Sequence, residues 1–390
     1  MSYTLLLKQL MIHTGTGTSI KGDLFIENGK IIEISSSITR EADQVIDASR
    51  HNWMVVPGFI DLHIHGAAGH DTMDATPDAL RGIARALPKE GTTGFLATTM
   101  TQSPAAISDA LSNADAFERE NGEAELLGIH LEGPFLSPKR AGAQPVEFIL
   151  SPSIEQFDQW MEESGEKIRL ITMAPEQENG LTFVNHLRNK GVAVSIGHSD
   201  ATFEQAIEAV EAGALQVTHL YNQMSPFHHR EPGVVGAAFL EDKLSVEIIV
   251  DFVHSHKHAV KLAYQQKGSQ SVILITDAMR AKGLPAGLYD LGGQQVIVSE
   301  KDARLQDGTL AGSILTMEEA VKNIAALTNC SMQELIAMSS ANAAKQIGVY
   351  DRKGSIEVNK DADLVIMDED LSIQLTLCRG EIAYKKEVHK

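Results

Sequence analysis

The pair His63 and His65 closes an apolar run, WMVVPGFIDLHIHG, and is the clearest chemical signal in the chain. Side chains two apart on a strand point to the same face, so both imidazoles can reach one point in space. Two neutral imidazoles that converge beyond the end of a strand form half of a metal site. The pair alone is weak support, because such pairs are common on protein surfaces.

Four further potential ligands end other apolar runs: Glu132 in HLEGPF, His198 in IGHSD, His219 in THLYN and Asp277 in ITDAM. Each has an ordinary explanation when taken singly, such as a neighbour of a helix cap, a satisfied core histidine or a partner for a backbone amide. Nitrogen and oxygen ligands at the ends of so many runs are hard to explain as chance. Together they predict a metal site.

This set of residue types indicates hydrolysis. Imidazole and carboxylate without thiolate suit zinc, iron or manganese and leave a coordination position for water. A bound divalent ion lowers the pKa of that water from about 15.7 towards neutrality. Glu132 can bridge two ions, and Asp277 is placed to take the proton of the water and return it to a leaving group.

The elements that position these residues form a regular alternation. Continuous apolar runs mark strands buried on both faces, and their alternation with amphipathic helical stretches implies right-handed βαβ units. Eight such runs predict an α/β protein, a (β/α)8 TIM barrel whose carboxyl-terminal mouth holds all the ligands. An open doubly wound sheet is the alternative, disfavoured because no glycine-rich phosphate motif follows the first run. The runs are VVPGFIDLHIH, TTGFLATT, ELLGIHLEGPF, IRLITMAPE, VAVSIGHSD, LQVTHLYN, LSVEIIVDFVH and SVILITDAM.

Both chain ends read as short strands joined by turns, with hairpin signals at Asn28-Gly29 and Arg379-Gly380. Neither end carries enough apolar surface to stand alone, so we expect the two to combine into one small β-sandwich domain. The predicted division is residues 1–57 with 346–390 for the small domain and 58–345 for the barrel.

Composition narrows the class of protein. The chain has 390 residues and a formal net charge of −19, so nucleic acid and anionic membranes are disfavoured as partners. No apolar run approaches the roughly 20 residues of a membrane span, and no signal-like segment opens the chain. With only Cys330 and Cys378 there is no disulfide framework. We expect a soluble, cytoplasmic protein.

The stretches HIHG, HLEGPFL, IGHSDA, THLYNQM, EPG, ITDAM and LAGSILTM together resemble the N-acetylglucosamine-6-phosphate deacetylases of the amidohydrolase superfamily. The resemblance covers nearly the whole chain. It implies metal-dependent removal of acetate from the amino sugar phosphate, with Asp277 as general base and then acid. It implies one metal on Glu132, His198 and His219, and a second position at His63, His65, Glu132 and Asp277. Zinc or iron(II) is favoured, with manganese or cobalt next, and one or two ions per subunit.

The resemblance also implies the substrate contacts. The phosphate should meet Asn222, the backbone at Gln223, Arg230 and His254. The sugar pocket should be lined by Ala143, Leu310, Ala311 and Gly312. In the family a dimer interface supplies part of the phosphate site, and on that ground we expect a homodimer.

Two of the departures from the family pattern lie near the expected site. Gln144 stands where many relatives have a histidine that helps polarise the acetyl carbonyl. An amide can donate a hydrogen bond but not as a cation, and loss of one such donor can cost roughly 10²–10³ in rate. Phe252 replaces the usual glycine after Asp251 and is expected to narrow the pocket near His254.

Two alternatives remain open. Another deacetylase or a cyclic-amide hydrolase would use the same scaffold, but the binuclear cyclic-amide enzymes bridge their ions with a modified lysine after the fourth strand, and IRLITMAPE has none there. A catalytically inactive barrel kept as a binding protein would be expected to lose ligands. This chain keeps all six.

Overall fold

The computed structural model describes residues 3–387, and its centre is a barrel of eight parallel strands. Every apolar run identified above forms one of them, and all residues of the first two strands are buried, as expected for strands covered on both faces. We number the barrel strands 1 to 8 in chain order: Phe59–Ile64, Thr92–Thr98, Glu125–Glu132, Ile168–Met173, Ala193–Ile196, Gln216–Val217, Ser245–Ile249 and Val272–Ile275.

One α-helix follows each barrel strand, as in a (β/α)8 fold. Their starts carry the expected signals: the hydroxyl of Thr76 caps the first helix, where Pro77 takes the first position, and Thr202 with Gln205 forms a capping box on the fifth. The helices are Pro77–Ala86, Pro104–Ala116, Ile154–Glu163, Gly180–Asn189, Phe203–Ala212, Gly233–Leu240, Lys257–Lys267 and Met317–Thr328. Two short helices, Met332–Ile336 and Asn342–Gln346, flank a π-helical turn at Ala337–Ala341 and close the barrel region.

Strand 8 meets strand 1 beside the mouth and closes the barrel. The amide of Asp277 donates to the carbonyl of His63 at 2.8 Å, and Ile64 forms a parallel bridge with Ala278. Parallel strands place all their carboxyl ends at one rim, so residues that end different strands are neighbours there.

Both chain ends build one eight-stranded sheet, which confirms that the termini combine. Strand Met54–Pro57 pairs antiparallel with Leu364–Met367 and joins the two ends. The predicted hairpin turns at Asn28-Gly29 and Arg379-Gly380 are present, with positive φ at all four residues. The sheet is continuous and curls onto itself, because Ala362 donates to the carbonyl of Gly29 at 2.8 Å and so encloses an apolar core. The other strands are Thr4–His13, Ser19–Glu27, Lys30–Ser35, Gln44–Asp47, Ile373–Cys378 and Glu381–Lys385.

A three-stranded antiparallel sheet is inserted between barrel strand 8 and its helix. Its strands are Gly287–Leu291, Gln294–Val298 and Ala303–Leu305, and it packs on Met100 and Met279 at the mouth. A two-stranded ribbon, Gly66–Ala67 with His70–Asp71, follows strand 1. Short 3-10 turns occur at Thr72–Asp74, Leu87–Glu90, Pro138–Arg140 and Val146–Phe148.

Within residues 3–387, no helix combines the length and the apolar character that crossing a membrane requires.

Candidate metal centre

The six predicted ligands gather at the carboxyl-terminal mouth of the barrel. All are buried, and none is more than 8% exposed. Each stands in the last residues of a barrel strand or within two residues after it, so the parallel strands themselves bring them together. They are His63 and His65 from strand 1, Glu132 from strand 3, His198 after strand 5, His219 after strand 6 and Asp277 after strand 8.

Three of these residues have a backbone conformation that residues other than glycine seldom adopt. His198, His219 and Asp277 have φ angles of 46°, 31° and 48°. A non-glycine residue in the left-handed region costs of order 1–3 kcal/mol and concentrates at functional sites. The strand ends therefore turn sharply, and at an energetic cost, at the points that aim these side chains into the mouth.

Glu132, His198 and His219 form a compact triangle of ligand atoms. Glu132 Oε1 lies 3.3 Å from His198 Nε2 and 3.4 Å from His219 Nε2, and the two nitrogens are 3.1 Å apart. An ion bound tetrahedrally at zinc-like distances needs neighbouring ligand atoms about 3.3–3.4 Å apart. The triangle thus has the dimensions of one face of such a coordination shell.

His63, His65 and Asp277 form a second group beside the first. Asp277 Oδ1 lies 3.4 Å from His63 Nε2 and 3.3 Å from His65 Nε2. Glu132 reaches this group as well, with Oε1 3.4 Å from His63 Nε2 and Oε2 3.2 Å from His65 Nε2. The Glu132 carboxylate therefore stands between two groups that can each hold a metal ion.

The two carboxylates of the mouth, Glu132 and Asp277, need a source of positive charge to be stable when buried and ionised. Within residues 3–387 no lysine or arginine pairs with any of the six side chains. Burial by itself would lower the pKa of His65, but hydrogen bonds to Asp277 and Glu132 raise it to about 9. Burial opposes ionisation of Asp277, yet His63 and His65 lower its pKa to about 2. A divalent ion can supply the charge that protons on the imidazoles otherwise provide.

The orientation of the rings fits the same conclusion. His63 Nε2 is buried and makes no hydrogen bond within the described residues, although it faces two carboxylates. His198 is turned by its other nitrogen, because Nδ1 lies 2.8 Å from the carbonyl of Arg140. A carbonyl can only accept, so Nδ1 carries the hydrogen and Nε2 presents its lone pair to the mouth.

His130 is buried near the ligands but is not part of them. Its Nε2 lies 2.7 Å from the hydroxyl of Thr172 and its Nδ1 lies 3.4 Å from that of Thr98. Burial, together with the neighbouring His63, lowers its pKa well below the ordinary value, so the ring is neutral. The rings of His130 and His63 pack edge to face, with their centroids 4.5 Å apart.

A cavity of about 360 Å³ opens above the two groups. It exposes His65, Glu132, His198, His219 and Asp277 on its floor. Most of the predicted substrate contacts line it: Ala143, Gln144, Asn222, Gln223, His254, Leu310 and Gly312. Ala311 is wholly buried behind that lining and packs in the core of the inserted sheet.

Gln144 lies against a ligand, and both ends of its amide are engaged. Its Nε2 donates to Glu132 Oε2 at 2.8 Å, and its Oε1 accepts the backbone N–H of Thr101 at 2.8 Å. The donor that was expected to face an acetyl carbonyl is therefore directed at Glu132 in this structure. Gln144 holds the carboxylate in place.

Arg230 lies outside the cavity of its own chain. It is exposed, and its Nη1 lies 2.9 Å from Nε2 of the neighbouring His229. Arg304, which the sequence did not single out, is the one lysine or arginine in the cavity lining among residues 3–387. It is fixed by Asp302, at 2.6 Å from Nε, and by the carbonyl of Gly308.

His254 lies in the cavity wall, as expected, whereas Phe252 does not. His254 lines the cavity and is oriented by Asp251, whose Oδ2 lies 2.6 Å from Nδ1. Phe252 is 37% exposed and does not line the cavity, so the expected narrowing does not occur. Its φ of 61° explains why glycine suits this position.

The inserted sheet is the main contributor that sequence reasoning missed. Leu291, Arg304 and Thr309 from this segment all line the cavity. A signal was present: Gly292-Gly293 separates two short alternating runs, YDL and QQVIV, and glycine pairs of this kind mark tight hairpins.

Comparison with known proteins agrees with this geometry. Residues 54–383 match the model of the amidohydrolase family. The N-acetylglucosamine-6-phosphate deacetylase of Lysinibacillus sphaericus is 50% identical, with 97% of each chain covered, and that of Bacillus subtilis (strain 168) is 48% identical, with 98% of each covered. The structure of a variant deacetylase from Mycobacterium smegmatis, in complex with N-acetyl-D-glucosamine-6-phosphate, superimposes with a TM-score of 0.90 at 29% identity, covering 98% of this chain and 99% of that one. The chain belongs to the amidohydrolase family and, within it, to the N-acetylglucosamine-6-phosphate deacetylases.

Proposed function

We propose that this chain hydrolyses the N-acetyl group of N-acetylglucosamine 6-phosphate, giving glucosamine 6-phosphate and acetate. The observation that carries the proposal is the pair of ligand groups around Glu132 on the floor of a cavity of about 360 Å³. The names of the relatives and the complex of the similar structure support the choice of substrate.

The donor set suits zinc or iron(II) first and manganese or cobalt next. When bound, a divalent ion polarises a carbonyl and lowers the pKa of a water molecule. Glu132, His198 and His219 would hold one ion. His63, His65 and Asp277, with Glu132 shared, would hold a second, and we propose that the chain can take up both.

Asp277 is the proton carrier in this proposal. Its carboxyl is ionised, because His63 and His65 lower its pKa, and it forms part of the cavity floor. It takes a proton from the attacking water and then gives that proton to the amine nitrogen as the amide C–N bond breaks. The water oxygen remains on the acetyl carbon, so acetate and the free amine leave.

Recognition of the sugar phosphate would use the rest of the cavity. Ala143, Leu310 and Gly312 would line the sugar, with Ala311 behind them, while Gln144 acts by holding Glu132. Asn222, the backbone of Gln223 and His254 would meet the phosphate. Because Arg230 is exposed and does not line the cavity of its own chain, we propose that it completes the phosphate site of a second subunit in a homodimer. A substrate of this kind belongs to cytoplasmic metabolism, which is where we place the protein.

Release of acetate by purified enzyme, with each metal supplied in turn, tests the reaction. We expect turnover of N-acetylglucosamine 6-phosphate and much weaker turnover of the unphosphorylated sugar. The C4 epimer, N-acetylgalactosamine 6-phosphate, tests the fit of the sugar pocket. No release from the phosphorylated sugar, together with hydrolysis of a cyclic amide, would overturn the assignment in favour of the alternative.

A mixed dimer tests the source of the phosphate contact. Arg230→Ala should raise KM for the phosphorylated sugar, and Asp277→Asn should lower kcat by roughly 10²–10⁴. A dimer with one subunit of each kind has a single site in which intact Asp277 meets an intact Arg230 from its neighbour. That dimer should recover the wild-type KM at about half the wild-type kcat. If KM stays raised, Arg230 does not serve the neighbouring cavity.

A further inference from the structure

Glu247 is a buried carboxylate that the proposed reaction does not use. It occupies the third position of barrel strand 7, in the apolar run LSVEIIV, and its side chain is 0% exposed. An ionised group in such a place must be fully hydrogen-bonded, since an unpaired buried charge is very costly. Its partners therefore indicate its purpose.

The Glu247 carboxylate contacts one ligand from each of the two metal-holding groups. Its Oε2 lies 3.1 Å from Nδ1 of His63 and accepts the backbone N–H of His219 at 3.3 Å. Its Oε1 accepts Nε2 of Gln216 at 2.6 Å. Three donors from strands 1 and 6 and the loop after strand 6 converge on this one side chain.

We infer that Glu247 is a positioning residue for the metal centre, acting through His63 and His219. A carboxylate only accepts hydrogen bonds, so Nδ1 of His63 carries the hydrogen and Nε2 presents its lone pair to Glu132 and Asp277. The same oxygen anchors the main chain of His219, whose φ is 31°. A carboxylate behind a ligand imidazole fixes the ring and strengthens its donation to a metal. This inference rests on the metal-dependent function proposed above.

Gln216 makes a conservative test possible. Its Oε1 is buried and has no hydrogen-bond partner within the described residues, while its Nε2 is directed at Glu247. In a Glu247→Gln variant, rotation of the Gln216 amide would offer Oε1 to the new amide nitrogen. The remaining amide oxygen could still accept from His63 and His219. The variant thus keeps the shape and the hydrogen bonds and removes the charge.

Ser195→Ala provides the matched control. Ser195 is fully buried in the same polar layer of the barrel, and its hydroxyl lies 2.6 Å from that of Thr218. In the part of the chain that the structure describes, its hydroxyl makes no hydrogen bond to any of the six ligands. Thr218 keeps its second partner, the hydroxyl of Thr172 at 2.7 Å.

The experiment measures metal per subunit after equilibration with graded free Zn²⁺, and the unfolding midpoint of each protein without metal. Because Glu247 supports one ligand of each group, we expect both ions to bind 10–100-fold less tightly to Glu247→Gln, which is the usual effect of changing such a partner. The midpoint without metal should match that of Ser195→Ala within a few degrees.

Unchanged metal binding in Glu247→Gln would overturn the inference. So would a metal-free midpoint far below that of Ser195→Ala, because weaker metal binding would then follow from a damaged fold and the role of Glu247 would be merely structural. If the wild-type protein takes up no metal at all, the proposed function fails and this inference fails with it. Normal metal uptake by wild type with an unaffected variant leaves the function standing.

Discussion

Barrel strand 3 begins at Glu125 and ends at Glu132, and each of these carboxylates joins a buried polar cluster. At the start of the strand, Glu125 meets Asp361 and Asp363, with oxygens within 4.8 Å of one another. At the end, Glu132 meets imidazoles and Asp277. We call these the basal cluster and the mouth cluster. Both have the spacing of a metal site, yet they are built for different purposes.

The difference lies in the source of the positive charge. In the basal cluster, Lys353 is 1% exposed, lies 2.9 Å from Glu125 Oε2 and hydrogen-bonds Asp363. Arg352 adds a two-pronged contact to Glu125 at 2.7 and 3.1 Å. The fixed ammonium occupies the position that a metal ion would take. Among residues 3–387 no lysine or arginine pairs with the mouth cluster, so this cluster can accept an ion and an approaching substrate.

Among the variants proposed here, Asp277→Asn in the mouth cluster should have the largest effect, and that effect should fall on activity rather than on stability. An amide cannot take up the proton, so kcat for N-acetylglucosamine 6-phosphate should fall by roughly 10²–10⁴. The three ligands Glu132, His198 and His219 are untouched, so at least one ion per subunit should remain by elemental analysis. Unfolding in urea should change little. Retained turnover would remove Asp277 from the reaction.

Lys353→Met should give the opposite result. The buried Asp361 and Asp363 and the partly buried Glu125 would lose their shared cation. Breaking a buried ion pair in this way costs about 3–5 kcal/mol of the free energy of unfolding. Urea unfolding measures the loss, while kcat of the protein that remains folded should stay near wild type.

Lys30→Met is the control for this change, because Lys30 also pairs with Asp361, at 2.6 Å, but is 42% exposed. Exposed pairs contribute about 0–1 kcal/mol. Equal losses in the two variants would mean that burial of the lysine is unimportant, and the contrast between the clusters would no longer hold.

The mouth cluster was readable from the sequence and the basal cluster was not. Each mouth ligand interrupts or ends an apolar run, and the barrel rule places all such ends together. Lys353, Asp361 and Asp363 lie in a segment without periodicity, and only the closing of the terminal sheet brings them to Glu125. Glu247 was hidden for another reason: a single charge inside LSVEIIV has no local feature that reveals its buried partners. The position of Arg230 depends on the path of an irregular loop, which no pattern fixes.

Acid should destabilise the basal cluster in a defined range of pH. Burial opposes ionisation of Glu125, but Arg352 and Lys353 lower its pKa to about 2. A carboxyl with a lowered pKa stabilises the fold above its unfolded value, about 4.3, and this contribution disappears as the pH falls towards 2. The loss is on the order of 3 kcal/mol.

Glu125→Gln isolates this contribution. The variant should be less stable than wild type at pH 7, and its free energy of unfolding should fall less steeply between pH 5 and about 2. The measurement is urea unfolding at a series of pH values on metal-free protein, so that loss of metal in acid does not contribute. Parallel curves for the two proteins would show that Glu125 is not the group responsible.

Arg352→Lys tests whether the positive charge at this position is enough to stabilise the basal cluster, without the two-pronged contact of the guanidinium. Arg352 holds both oxygens of Glu125 and also reaches Asp361 Oδ2 at 2.8 Å. Lysine keeps the charge but cannot make the two parallel bonds, so we expect a loss of about 1 kcal/mol in urea unfolding and no change in metal content. A loss as large as that of Lys353→Met would mean that the geometry of the guanidinium on Glu125 and Asp361 matters as much as the buried ammonium. The basal cluster would then resemble the mouth cluster in depending on directional contacts from each of its members.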